Sequence, residues 1–402
     1  MRISTQQLQQ QGINSMLEQQ GKLGKTQLQV STGRRILTPG DDPAASAQVL
    51  NLTQAKEATQ QYQANTEAAR TRLSLEENVL SGVGDLLQRV RELTVQANNA
   101  PLSNSDRKDI AQEVRQRLDE LLALSNTRDA SNEYLFSGYQ GLAQPFSPAS
   151  SGNYNYNGDE GQRYLQIGSN RQVAIGDSGT SVFRAIRNGN GIFSTQENPA
   201  NTGTGVIDPG TVNGTFVPDT YTLAFIQVLP TDPVTYTVTG VASGVVASGT
   251  HTNGGSLSFN GVQTRVSGTP ANGDTFTVSP SANQDIFSTV QNLAQALETS
   301  VGSPAGQARF NNAMNRTLID LDRSLDNIID VRTRIGSRLN AIDAQRNLND
   351  SFKLQLQETI SNLQDLDYAE AVSRLNLQIT GLQAAQQSFI KIQGLSLFNF
   401  LR

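Results

Sequence analysis

The sequence predicts an α+β multidomain protein: an elongated α-helical coiled-coil bundle built from both chain ends, with an inserted all-β outer domain. Changes in composition along the 402 residues indicate this plan. Residues 1–137 are rich in Gln, Leu, Ala, Arg and Asn, and residues 305–402 contain no proline. Residues 141–280 are rich in Gly, Thr, Ser and Val and hold nine of the 13 prolines. Apolar stripes with helical spacing at both ends are the second observation.

The N-terminal half predicts three helices. Ile13, Met16, Leu23 and Val30 are spaced for one face of the first helix. The dipeptide at residues 42–43, Asp-Pro, has the pattern of an N-cap followed by proline in the first turn of a second helix. This helix carries a stripe with steps of three, four and seven: Tyr62, Ala69, Leu73, Leu80, Val83, Leu87, Val90 and Ala97.

A proline at position 101 ends the second helix, and the third begins close behind it. Ser103 and Asp106 have the spacing of a capping box, in which each side chain binds the other's backbone N–H. The apolar residues that follow are spaced for one helical face: Ile110, Val114, Leu118, Leu121 and Leu122.

The C-terminal half carries a heptad stripe from Met314 to Leu363, which is typical of a coiled coil. At about 1.5 Å per residue this helix would be roughly 75 Å long, too long for a compact globule. Four polar residues interrupt the stripe, and we interpret them as positions that set its register or locally splay the seam: Arg332, Arg346, Asn349 and Lys353. A last helix repeats the spacing with Tyr368, Val372, Leu375, Ile379, Leu382 and Phe389.

The middle of the chain predicts strands joined by tight turns. The segments 221–225, 235–239, 256–259 and 275–278 alternate or are β-branched. Asn-Gly pairs at 253–254, 260–261 and 272–273 supply residues that tolerate positive φ. Residues 162–175 suggest a further hairpin, and residues 188–213 are expected to be irregular.

Composition excludes much of enzyme chemistry. The chain has no cysteine and one histidine, His251, so thiolate chemistry and multi-histidine metal sites are excluded. The net charge of −5 argues against a nucleic-acid partner. No apolar run reaches the ~18 residues of a membrane span. The N-terminus lacks the apolar core of a secretory signal peptide. We therefore predict no enzymatic activity, no cofactor and no metal.

Each chain end carries an apolar stripe that a sequence break separates from the bundle. We expect neither stripe to have a core inside the chain, and such surfaces mark contacts with partners. The predicted assembly interface contains Ile13, Leu23, Val30, Arg34, Arg35, Ile36, Val372, Leu375, Ile379, Leu382, Phe389, Leu395, Leu397, Phe398, Phe400 and Leu401.

Motifs at both ends resemble those of the bacterial flagellin superfamily. Residues 28–36, Leu-Gln-Val-Ser-Thr-Gly-Arg-Arg-Ile, precede Asp-Asp-Pro-Ala at 41–44. Residues 365–370, Asp-Leu-Asp-Tyr-Ala-Glu, precede Leu-Gln-Ala-Ala at 382–385. The resemblance is closer to the hook–filament junction branch, and it rests on three segments: residues 2–5, 132–138 and 395–401.

The resemblance implies a structural role in the bacterial flagellum. Residues 1–40 and 364–402 would form a coiled coil lining the export channel, residues 41–140 and 286–363 the next shell, and residues 141–285 an outer domain. The implied partners are further copies in a ring or helical turn, the first hook-associated protein, flagellin and a cytoplasmic chaperone that holds the C-terminal helix. Export would use the flagellar type III apparatus and place the protein outside the cell.

Two other functions stay open at this point. The chain could be a filament-forming flagellin, which belongs to the same structural class. Its exposed Gly/Thr-rich segment, residues 181–285, could also be a surface adhesin or glycan-binding module.

Overall fold

The computed structural model describes residues 5–99, 102–149, 153–229 and 231–394. Its helices lie toward both chain ends, as predicted: α1 (Thr5–Thr32), α2 (Pro43–Asn99), α3 (Asn104–Ser125), α4 (Ile286–Glu298), α5 (Pro304–Gln364) and α6 (Tyr368–Gly394). The strands follow α3 and precede α4, so the α+β class with an all-β insertion is confirmed.

Fifteen short strands and one π-turn, Thr180–Arg184, occupy the described part of the insertion. The strands are β1 (Phe146–Pro148), β2 (Tyr154–Tyr156), β3 (Tyr164–Gly168), β4 (Arg171–Ala174), β5 (Ile186–Arg187), β6 (Phe193–Glu197), β7 (Val206–Ile207), β8 (Thr211–Val212), β9 (Tyr221–Ile226), β10 (Thr235–Gly240), β11 (Gly244–Thr250), β12 (Ser256–Phe259), β13 (Val262–Ser267), β14 (Thr275–Pro280) and β15 (Asn283–Gln284).

The chain forms two compact units. The terminal unit contains the described residues up to Ala64 and from Gln345 onward, and the central unit contains Asn65–Ala344. Helices α2 and α5 each contribute residues to both units. The predicted three-part division of the chain at residues 40, 140, 285 and 363 stays a prediction.

The helical core of the central unit follows the predicted stripes. Seven of the eight α2 stripe residues, from Ala69 to Ala97, are buried. The predicted capping box at the start of α3 forms, since Asp106 N–H donates to the Ser103 hydroxyl and Ser103 N–H donates to the Asp106 carboxylate. On α5 the buried seam departs from the predicted register at Val331 and Gln345, which are buried one residue before the two predicted arginine interruptions.

A cluster of aromatic rings joins the beginning of the insertion to the helices. Phe146 contacts Phe183 and Phe287 with ring centroids 5.4 and 4.9 Å apart, and Phe136 meets Phe183 edge-on at 5.1 Å. Because Phe287 belongs to α4, the residues around 136–183 share the core of the helices. Such ring pairs add about 1 kcal/mol each beyond the area that they bury.

The remaining strands enclose a separate apolar core. A five-stranded sheet has the order β11-β10-β9-β14-β6, and a smaller one pairs β12 and β13 with β7 and β8. Their buried side chains alternate along the strands, as in Tyr221, Leu223 and Phe225. The four predicted strands are present, and the predicted turn at 260–261 has both residues at positive φ, 41° and 82°.

The prediction that residues 188–213 are irregular is wrong in part, because they contain β6, β7 and β8. Strand β6 reads Phe-Ser-Thr-Gln-Glu and pairs with β14 along its whole length. Its alternation is weak in the sequence, since Phe193 is its only apolar residue. Pairing with a distant strand therefore determines this conformation.

A buried carboxyl lies where the insertion meets α2. Glu76 is 1% exposed, and its Oε1 accepts a hydrogen bond of 3.1 Å from the Asp177 N–H. The Asp177 carboxylate in turn forms a double hydrogen bond with Arg338, at 2.8 and 3.0 Å. Burial, and then the charge of Asp177, raise the pKa of Glu76 to about 8.

We expect Glu76 to make the stability of the central unit pH-dependent. Its folded pKa of about 8 lies above its ordinary value of 4.5, so the folded state binds the proton more tightly than the unfolded state. The contribution of Glu76 to the free energy of unfolding should therefore be fully present below pH 4.5 and be lost as the pH rises through about 8. Thermal unfolding of Glu76→Gln, whose amide is neutral, should show a flatter profile and a higher midpoint than the unmutated protein at pH 8. Glu57→Gln, at an exposed position of the same helix, is the control, and equal slopes for all three proteins would contradict this assignment.

Candidate assembly interface

The two chain ends pair with each other. Helix α1 packs antiparallel along α6, with Gly12 facing Phe389 and Gln19 facing Gly381. A Cβ at Gly12 would lie 3.0 Å from the Phe389 ring, so the glycine permits this close approach. Half-buried or buried positions recur on α1 at steps of four and three: Gly12, Met16, Gln19, Leu23, Thr26 and Val30. Those on α6 are Ala371, Leu375, Gln378, Leu382, Ala385 and Phe389.

This pairing corrects the expectation that neither end has a partner inside the chain. Each helix alone lacks a core, but the stripes complement each other across an antiparallel seam. Sequence periodicity locates a stripe without identifying the element that covers it, and α1 and α6 are more than 330 residues apart in the sequence.

A backbone junction fixes the inner end of the pair. Arg35 N–H donates to Gln364 O at 2.8 Å, and Leu366 N–H donates to Gly33 O at 3.0 Å, so the segments after α1 and α5 run antiparallel. Gly33 has φ of +70°, a conformation that disfavours residues with a Cβ. A Cβ there would also lie 2.9 Å from the Tyr368 hydroxyl. This junction is formed by the two segments whose motifs resemble flagellin.

Charged side chains of the same motifs brace the junction. The Arg35 guanidinium donates to Leu363 O at 2.8 Å and lies 3.5 Å from the Asp42 carboxylate. Asp41 accepts hydrogen bonds from two backbone N–H groups and lies 2.6 Å from the Lys25 ammonium. The Lys25 hydrogen bond, followed by the backbone donors, lowers the pKa of Asp41 to about 2.

Acidic side chains also cap the helices that leave the junction. Asp42 Oδ1 accepts from Ala45 N–H at 3.0 Å at the start of α2, which confirms the predicted N-cap. Asp367 Oδ1 accepts from Ala369 N–H at 2.9 Å and from Glu370 N–H at 3.2 Å at the start of α6. Each cap satisfies backbone donors that have no partner inside the helix.

The predicted interface residues therefore divide into three groups. Ile36 is buried at the junction, where Arg34 and Arg35 also lie, and the half-buried Leu23, Val30, Leu375, Leu382 and Phe389 belong to the α1–α6 seam. Ile13, Val372 and Ile379 are exposed at 42%, 43% and 38%. The remaining predicted residues lie outside the described part of the chain: Leu395, Leu397, Phe398, Phe400 and Leu401.

Most of the exposed apolar side chains of the pair form a second stripe on each helix, and Leu377 lies away from it. On α6 it contains Tyr368, Val372, Ile379 and Ile390, whose steps of 4, 7 and 11 residues keep them on one face beside the seam. On α1 it contains Ile13, Leu17 and Leu28. We call these seven residues the free stripe. Leu17, Leu28 and Ile390 were missed in the sequence because they fall outside the main apolar period.

Other kinds of site find little support in the described residues. No group of three or more His, Cys, Asp or Glu side chains there is arranged to hold a metal ion. Among the same residues, no helix combines the length and apolar character that crossing a bilayer requires. His251 contacts the ring of Phe225 edge-on, and its Nε2 lies 3.2 Å from Gly268 O.

Comparison with known proteins places these features in a flagellar context. Residues 3–141 match the family model described as the bacterial flagellin N-terminal helical region. Flagellar hook-associated protein 3 of Escherichia coli is 28% identical over 399 residues, covering 99% of both chains. The crystal structure of flagellar hook associated protein-3 from Legionella pneumophila is 35% identical, has a TM-score of 0.76, and covers 78% of this chain and 98% of its own. A flagellin of Serratia marcescens is 33% identical, but over only 35% of this chain and 40% of its own.

Gly33→Ala should weaken the junction, because the positive φ of this residue costs an L-amino acid about 1–2 kcal/mol and the added methyl group meets the Tyr368 hydroxyl. We expect faster hydrogen exchange at the amides of Arg35 and Leu366, which mass spectrometry of the purified chain would measure. Gly21→Ala is the matched control, because a Cβ there has no atom within 4 Å and alanine favours the helix. Unchanged exchange in Gly33→Ala would show that the junction does not depend on this glycine.

Proposed function

Because this chain belongs to the family of flagellar hook-associated protein 3, we propose that it is a structural junction protein that joins the flagellar hook to the flagellin filament. The observation that carries the proposal is the free stripe, an apolar surface beside the α1–α6 seam that a single chain leaves in water. Contiguous apolar surfaces of this kind mark protein–protein contacts. Burying them between many copies gives a repeating assembly.

We further propose how the chain is arranged in that assembly. Residues 1–40 and 364–402 would line the channel, residues 41–140 and 286–363 would form the next shell, and residues 141–285 would face outward. The α1–α6 pair supports the first assignment, since its apolar side chains lie on two faces of α6, one toward α1 and one free. A helix with two apolar faces is suited to contacts with more than one neighbour.

The proposed partners follow from the same surfaces. Copies of this chain would bind one another laterally in a ring or helical turn, with the first hook-associated protein below and flagellin above. Before export through the flagellar type III apparatus, a cytoplasmic chaperone would cover the C-terminal helix, whose exposed Val372, Ile379 and Ile390 would otherwise promote premature association. We propose an extracellular location, and no enzymatic, nucleic-acid or membrane-inserted role.

The alternative of a filament-forming flagellin has less support. The flagellin of Serratia marcescens matches about a third of this chain, whereas the hook-associated protein of Escherichia coli matches nearly all of it. The two functions differ in copy number. A junction protein should be a minor band in sheared filaments, where flagellin dominates.

The double variant Val372→Glu/Ile379→Glu tests the free stripe. Both side chains are exposed in the single chain, so the fold tolerates the charges, but an apolar interface would bury them at a cost of several kcal/mol. In a strain whose only copy of this gene carries the variant, we expect at least about tenfold fewer attached filaments by electron microscopy, and a matching loss of motility.

Gln383→Glu is the matched control, since it introduces a carboxylate at an exposed polar position of the same helix. Circular dichroism of the purified variants should show the helix content of the unmutated protein. If the double variant attaches filaments as well as the control does, the free stripe is not the assembly surface.

A further inference from the structure

A polar cavity of about 640 Å³ lies in the central unit, between β6, α4 and α5. Sites for small organic ligands usually enclose roughly 300–1,000 Å³. The assembly proposed above uses the chain ends and leaves this cavity without a role. Its lining is dominated by amide and hydroxyl side chains, which include Gln196, Asn292, Gln295, Thr299 and Thr317.

Charged groups at the cavity are few and already matched. Arg316 pairs with Glu197 at 2.9 Å. Asp320 is 5% exposed, and its carboxylate accepts hydrogen bonds from the Gly189 N–H at 2.8 Å and from the Gln284 amide at 3.3 Å. An additional charge on a ligand would therefore find no free counter-ion among these side chains, so the cavity suits a neutral ligand.

A second cavity of about 380 Å³ shares Pro199, Ala296, Thr299 and Ala313 with the first, and we call the two together the trough. The charged residues at the second cavity are Glu197, which pairs with Arg316, and Arg309, whose guanidinium donates to Pro199 O at 2.7 Å. A trough of this extent is larger than one monosaccharide needs. It matches an extended chain whose faces alternate between hydroxyl and C–H groups.

The outer face of the five-stranded sheet extends the same chemistry. Its centre carries hydroxyls on three adjacent strands: Thr222 on β9, Thr235, Thr237 and Thr239 on β10, and Thr275 and Thr277 on β14. Thr277 pairs with Gln196 of β6, which also lines the cavity. None of the outward-facing side chains of these paired strand segments is charged, unlike the usual solvent-facing side of a sheet.

We propose that this trough binds a neutral oligosaccharide chain. Amide side chains both donate and accept hydrogen bonds, so Asn292 and Gln295 can each pair with the vicinal hydroxyls of a sugar. Pro199 and Ala313 offer apolar surface to the C–H face of the ring. The sheet face beyond Gln196 would contact sugar units that extend past the cavity. This binding site uses no residue of the free stripe, so it is independent of the junction function. It would allow the assembled protein to bind glycans on a surface.

Isothermal titration of the full chain with cellohexaose, maltohexaose and chitohexaose tests the proposal, with a hyaluronan hexasaccharide as the anionic comparison. We expect at least one neutral hexasaccharide to bind and the anionic one to bind at least about tenfold more weakly. The double variant Asn292→Ala/Gln295→Ala should weaken neutral binding about tenfold or more, because both amides lose their hydrogen bonds to the sugar. Both residues are exposed on α4, so the fold should tolerate their truncation.

Gln291→Ala, on the same helix but outside the cavity lining, should bind like the unmutated chain. Failure of all three neutral hexasaccharides to bind, equal binding of the anionic one, or unchanged affinity in the double variant would each overturn the proposal. Filament attachment by the double variant should be normal, which separates this test from that of the free stripe.

Discussion

The antiparallel backbone contact between residues 33–35 and 364–366 is the constraint on which the terminal unit depends. It joins segments that are separated by about 330 residues of chain, so its formation carries a loop-closure cost that local interactions must offset. The caps at Asp42 and Asp367 help to offset this cost at the starts of α2 and α6. Lys25 and Asp41 hold the intervening turn. The flagellin-like motifs therefore have a role within the chain: their backbone contact holds the N-terminal and C-terminal segments together.

The composition of the α1–α6 seam explains why this pair leaves apolar surface free. Its positions include Gly12, Gln19, Thr26, Gln378 and Ala385, which are small or polar and bury little apolar area. Apolar side chains of the seam, such as Leu23 and Phe389, are only half-buried, and others, such as Leu17, lie on the exposed side. At about 25 cal/mol per Å² of buried apolar surface, much of the available stabilisation is realised only by covering that side. Apolar side chains on the exposed side as well as in the seam favour association.

The features that the sequence predicts correctly are mostly those that depend on residues close together in the chain. The caps at Asp42 and Ser103 and the turn at residues 260–261 depend on a few neighbouring residues, and the structure has them where expected. Contacts between distant segments of the chain could not be predicted from the sequence in the same way. Strand β6 forms because β14 is beside it, and the stripes of α1 and α6 meet although neither identifies the other. Sequence also does not indicate that the Arg35 guanidinium donates to the backbone carbonyl of Leu363, while the interface role of Arg34 and Arg35 stays a prediction.

Helix α5 uses different faces for the helical core and for the β insertion. One face holds the apolar seam of Met314, Leu321 and Ile328. Another holds a polar ladder that binds main-chain atoms of the insertion, through Arg309, Asn312, Asp320, Arg323 and Asn327.

Asn312 is the clearest example, because both polar atoms of its side-chain amide bind backbone atoms of the insertion. Its Oδ1 accepts from Ile207 N–H at 2.9 Å, and its Nδ2 donates to Gly205 O at 3.1 Å, with the side chain 4% exposed. Almost every residue type supplies the same backbone N–H and C=O groups. Attachment through them therefore places few demands on the side chains of the insertion.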